Sequence, residues 1–182
     1  MSRVAQRDPG NDLSKETIMP ADFIDVLVAI DATSIVDSLG HNHSDSNPPI
    51  VNPTHVAIIG TKQSSKDNNL SFHFTDAVYW QASAIGRAYE CEIYDFFDNS
   101  KNVEISSGDL IDRPRLESFH GVTLTPNPNS PNSPTVNRTT LWHWTSLAEA
   151  TGQISCGIRF VIFNNEGIKM GYYQCNTTIT VS

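Results

Sequence analysis

From Phe23 onward apolar and polar residues alternate with a period of two. Ile24, Val26, Val28 and Ile30 fall on one side of an extended chain, with Asp25 and Asp31 on the other. The same period returns over residues 54–61, 70–74, 77–85, 89–97, 137–145, 153–164 and 169–181. These runs are rich in β-branched and aromatic residues and are separated by clusters of Gly, Asn, Asp, Ser and Pro, the punctuation of short strands. Helical spacing is not sustained beyond two turns, and residues 145–151 have room for one helical turn at most. The pattern predicts an all-β fold, an antiparallel β-sandwich of Greek-key or jelly-roll type. With 182 residues the chain suits one domain, assigned here to residues 21–182. Residues 1–20 are polar and aperiodic and read as a disordered N-terminal tail. Two connections are long, 37–53 and 125–134, the second alternating Asn and Pro.

Charge excludes several classes of function. The formal net charge of -8 opposes a broad nucleic-acid footprint and docking to an anionic membrane. No apolar run approaches the ~18 residues of a membrane-crossing helix. No signal peptide is recognisable, so a cytoplasmic location is expected. Cys91, Cys156 and Cys175 are odd in number and lack CxxC spacing. Cys156 shares its alternation with Ile154, Ile158, Phe160 and Ile162, which predicts core thiols rather than catalytic or metal-bound ones.

The opening strand Ile24-Asp25-Val26-Leu27-Val28-Ala29-Ile30-Asp31 and the closing run from Gly171-Tyr172-Tyr173 to Thr178-Ile179-Thr180-Val181 resemble the terminal strands of the AidA/PixA family of bacterial inclusion-body proteins. Gly60-Thr61, Asp76-Ala77-Val78-Tyr79-Trp80, Trp142-His143-Trp144 and Ile158-Arg159-Phe160 follow in the order that resemblance requires, over roughly residues 22–182. Cys175-Asn176-Thr177 departs from the family ending, an aromatic followed by Asp-Pro. The resemblance implies density-regulated (quorum-sensing) expression and a protein that accumulates in the bacterial cytoplasm, in inclusions and as a homo-oligomer. It supplies no catalytic motif, and a fold of this kind does not fix a ligand.

Three groupings invite chemistry. Glu90 and Glu92 flank Cys91 on one strand face, about 6.5–7 Å apart, the arrangement a glycoside hydrolase would need; Asp95 joins them only through a bulge. Their ordinary role is a solvated face. His41, His43 and Asp45 alternate as metal ligands do, but in a loop-like segment. Trp142 and Trp144 share one face, as core or as a stacking surface.

The leading expectation is a non-catalytic, lectin-like protein binding neutral carbohydrate. Loop amides and carboxylates at Asp31, Asn42, His43, Asp45 and Asn47, with Trp80 as aromatic platform, form the expected ligand site. No cofactor is expected. Calcium is the one cation these oxygen donors suit, through Asp31, Asp45 and Asn47.

Overall fold

The structure is a computed structural model describing residues 22–41, 43–60, 68–130 and 132–182. The tail assigned to residues 1–20, and Asn42, lie outside the described residues. Ten strands and one α-helix follow in order: β1 (Phe23–Ile30), α1 (Ala32–Leu39), β2 (Val56–Gly60), β3 (Leu70–Phe72), β4 (Ala77–Ala84), β5 (Tyr89–Asp98), β6 (Val103–Glu104), β7 (Arg115–Thr125), β8 (Thr135–Leu147), β9 (Gly152–Asn164) and β10 (Lys169–Val181).

The strands form two five-stranded sheets, β2-β1-β4-β8-β7 and β3-β10-β9-β5-β6. The expected all-β sandwich is present. Its sheets are mixed, because β1 pairs with β4 in parallel and β10 with β3 in parallel, while the remaining pairings are antiparallel. The alternation of β1 places Ile24, Val26, Val28 and Ile30 in the core, where they meet Ile154, Cys156, Ile158, Phe160 and Ile162 of β9. Trp80 is central to the packing, with Phe72 and Phe96 edge-on to its indole at 6.1 and 5.2 Å between centroids.

Residues 145–151, with room for one helical turn at most, form none; residues 145–147 complete β8. The α-helix lies at 32–39, where Ala32, Ile35 and Val36 repeat at i, i+3, i+4 and are buried. Asp31 starts it, accepting from Ser34 N at 3.1 Å and Ser34 Oγ at 2.7 Å. Gly40 ends it at φ 81°, where its N–H reaches Val36 O at 2.9 Å.

After α1 the long connection becomes a strap along the free edge of β10. Tyr172 N donates to His43 O at 3.4 Å, Gln174 N to Pro49 O at 3.0 Å, and Gln174 O accepts from Val51 N at 2.8 Å. Strap and β3 thus share the covering of one long strand edge.

Strand β7 was not expected from the alternation. It pairs with β8 through eleven consecutive partners, from Arg115↔Thr145 to Thr125↔Thr135. The neighbouring β4 pairs with β8 only over Ala77–Trp80 against Leu147–Trp144. Beyond Trp80 and Trp144 the sheet forks, and β7–β8 continues as a two-stranded arm with almost every residue exposed.

A groove at the fork of the first sheet

The fork produces a groove on the outward face of the first sheet. Register sets its walls. Asp25 of β1 pairs with Tyr79 of β4, which pairs with Thr145 of β8; two residues along, Gln81 follows on β4 while Glu117 of β7 pairs with His143 of β8. Odd-numbered residues of all four strands therefore share one face. Asp25, Tyr79, Gln81, Glu117, Ser118, Phe119 and His143 enclose about 420 Å³.

His143 organises it. Its ring is held edge-on between Tyr79, at 4.9 Å, and Phe119, at 5.0 Å. Phe23 stacks on the far side of Tyr79 at 5.8 Å, extending an apolar plate along the groove. This packing leaves His143 only 9% exposed although it faces outward, and its Nδ1 is buried with no hydrogen-bond partner. That nitrogen is covered by protein, so what His143 presents to the groove is the rest of its ring. Around the plate stand two carboxylates, Asp25 and Glu117, and one amide, Gln81. The set offers aromatic surface and acceptors to a polyhydroxylated molecule, and two negative charges against an anion. A larger hollow of about 780 Å³ lies further out on the arm between His120–Val122 and Arg138–Thr140, and no Phe, Tyr or Trp lines it.

The residues expected to bind ligand do not converge on this groove. Trp80 is 0% exposed, so it cannot be a stacking platform; its Nε1 donates to Ser146 Oγ at 2.9 Å inside the core. Asp31 spends its carboxylate on the cap of α1. The remaining described residues of that set lie in the strap. His43 Nε2 is 2.8 Å from Leu39 O and its ring meets Tyr173 edge-on at 5.5 Å, a structural engagement. Asp45 and Asn47 are exposed, and Tyr94 Oη donates to Asp45 O at 3.2 Å beside Tyr172. Burial pushes the Tyr94 phenol up to about 12. Among the described residues, no group of three or more His, Cys, Asp or Glu side chains comes close enough to hold a metal ion.

The carboxylate pair is placed as its spacing implies, Glu90 and Glu92 outward on either side of buried Cys91. Partial burial, and then the neighbouring Glu90, raises Glu92 above the usual carboxylate range. A bulge does fall between Ile93 and Asp95, but Asp95 spends its carboxylate on Arg159 Nη1 at 3.2 Å. Arg159 in turn donates to Gln174 Oε1 at 3.1 Å and lies 4.0 Å above Phe97. All three cysteines are buried, and desolvation pushes Cys91 and Cys175 up to about 12 and Cys156 higher still. They are packing thiols. Of the tryptophan pair, Trp144 is anchored by its Nε1 to Ile93 O at 2.9 Å, whereas Trp142 is 61% exposed because it lies past the fork.

Sequence reasoning missed the groove because its residues sit on the polar side of each alternation, on strands whose pairing order no single run discloses. The signal within reach was the outward aromatics: Tyr79 between buried Val78 and Trp80, and Phe119 among the exposed residues of β7.

The fold and groove define a two-sheet sandwich protein with a fork in one sheet. The family profile described as PixA, inclusion body protein, matches residues 22–181, and the chain belongs to that family. The crystal structure of an inclusion body protein of the same family from Burkholderia cenocepacia J2315 superposes with a TM-score of 0.69 at 13% identity, over 90% of this chain and 97% of that one. At that identity the likeness speaks for the fold. No match is found among curated protein sequences.

Proposed function

We propose that this inclusion-body protein is a non-catalytic, lectin-like binder of neutral carbohydrate, and that the groove at the fork is its binding site. The observation that carries the reading is the aromatic wall of the groove: the outward-facing imidazole of His143, held between Tyr79 and Phe119, beside Asp25, Gln81 and Glu117. Aromatic edges and faces receive the C–H surface of a sugar ring, and Asp25, Glu117 and Gln81 receive its hydroxyls. Sites of this openness hold single sugars weakly, in the millimolar to micromolar range, and gain by multivalency in an oligomer. Accumulation in the bacterial cytoplasm, in inclusions, belongs to the same proposal. Among the described residues no helix is long and apolar enough to cross a membrane.

A glycan array probed with the full chain, with and without chelator, tests the reading. Binding to neutral glycans supports it, and loss with chelator would add calcium to the site. Silence across neutral glycans at high protein valency would overturn it and leave self-association as the function. Hydrolysis of any bound glycan, abolished by Glu92→Gln, would favour the glycosidase.

A further inference from the structure

Four terminal strands bound the two sheets, and three of them are short. Strands β2, β3 and β6 have five, three and two residues. The fourth, β7, runs for eleven residues without a proline, a lysine or a register shift. Those are among the devices by which natural edges avoid pairing, and β7 has none of these three; its charges, Arg115 and Glu117, lie at one end. Its arm also exposes Leu116, Phe119, Val122, Leu124, Val136 and Trp142, each between 43% and 61%. Apolar exposure concentrated on one element marks an interaction surface. A two-stranded ribbon is marginal in water without a third strand.

Backbone parity shows which groups the edge offers. Ala148 N donates to Asp76 O at 2.9 Å and Ala148 O accepts from Thr75 N at 2.8 Å, towards β4; Leu147 O accepts from Asp112 N at 2.8 Å, on the opposite side. Peptide groups alternate sides along a strand, so the odd-numbered residues of β8 bond to β7. Through the register, odd-numbered residues of β7 return those bonds. Leu116, Ser118, His120, Val122 and Leu124 then direct N–H and C=O away from the sheet.

We infer that β7 is the pairing edge for a second copy of this chain, β7 to β7 and antiparallel about a two-fold axis at His120. This register uses the whole strand and satisfies the parity, joining His120 to His120, Ser118 to Val122 and Leu116 to Leu124 of the other copy. Arg115 faces Thr125 and Glu117 faces Thr123, so no like charges of these two residues are opposed. The chain as a whole is acidic, at -8, but the arm past the fork balances one arginine, Arg138, against one glutamate, Glu117, while Arg115 at its base is paired with Asp112 at 2.8 Å. Copies meeting arm to arm therefore avoid the repulsion that the rest of the surface imposes. The result is a sheet continuous across both subunits, closed by symmetry. It does not depend on the groove binding a sugar.

Sedimentation of the full chain, with cysteine cross-linking, tests the inference. Val122→Pro removes an outward N–H without touching the β7–β8 ladder and is expected to weaken dimerisation by about tenfold or more. His120→Cys places two thiols about 5.5 Å apart between Cα atoms across the axis and is expected to form an intersubunit disulfide under oxidation. Ser118→Cys, facing Val122, is expected to form none. The native cysteines are buried and do not compete. A monomeric wild type, whether its edge is free or occupied by another segment, would overturn the inference. So would a dimer that survives Val122→Pro and is not trapped by His120→Cys, or one trapped by Ser118→Cys instead.

Discussion

Phe160 and Cys156 show how a single side chain reports the register. Both are 0% exposed on the inner face of β9, so Phe160→Ala is expected to cost about 3–5 kcal/mol in denaturant unfolding. Native Cys156 should resist thiol reagents; rapid labelling would mean the strand is turned over by one residue. Gly157, between them, has a different reason. A Cβ there would lie 2.6 Å from Gln174 Nε2 and 2.9 Å from Asn99 Oδ1, within the amide network that continues from Arg159. Asp109 gives a pH signature. Its carboxyl is lowered from 3.8 to about 2, first by the Lys101 hydrogen bond and then by the Ser106 N–H. A depressed carboxyl stabilises above its unfolded pKa and loses that contribution as pH falls through the folded one. Asp109→Asn should therefore destabilise at neutral pH, and the difference from wild type should close between about pH 4 and 2. Because Lys101 is exposed, added salt should shrink the effect. A difference that persisted below pH 2 would contradict the assignment.

At the scale of elements, legibility followed burial. Strands β1, β9 and β10 are packed on one or both faces, and their alternation was written in the sequence. Strand β7 is exposed throughout, so nothing forced its residues into a period of two, and it went unread. Helix α1 buries only Ala32, Ile35 and Val36, too short a stripe to separate from a strand. Its ends carry the information instead, Asp31 before it and Gly40 after it. Asp31→Ala is expected to cost about 1 kcal/mol, measured by thermal or denaturant unfolding; no loss would mean that the helix holds by packing alone. The capping role also explains why an acidic residue beside a turn was open to misreading as a ligand donor. Loops offer such side chains both to ligands and to their own backbone, and sequence alone does not separate the uses.

For the whole molecule, sheet order mattered more than any one run. The groove unites β1, β4, β7 and β8, and it exists because β8 follows β4 for only four residue pairs before leaving with β7. A mixed sheet with parallel β1 and β4 brings Asp25 beside Tyr79, a neighbourhood that distance along the chain conceals. The family resemblance at the chain's two ends agrees with the profile match over 22–181, while the described residues expected to bind ligand lie at the cap of α1, in the strap and, for Trp80, in the core. Binding of neutral sugars in this groove is the proposal on which the functional reading stands. Calorimetric titration of the strongest glycan-array ligand against the wild type, Tyr79→Ala, Glu117→Gln and Asp45→Asn tests it most directly. The expected result is millimolar to micromolar affinity in the wild type, a loss of about tenfold or more in the Tyr79 and Glu117 variants, and no change for Asp45→Asn in the strap. Undiminished binding in both groove variants, with loss in Asp45→Asn, would contradict it and return the site to the strap.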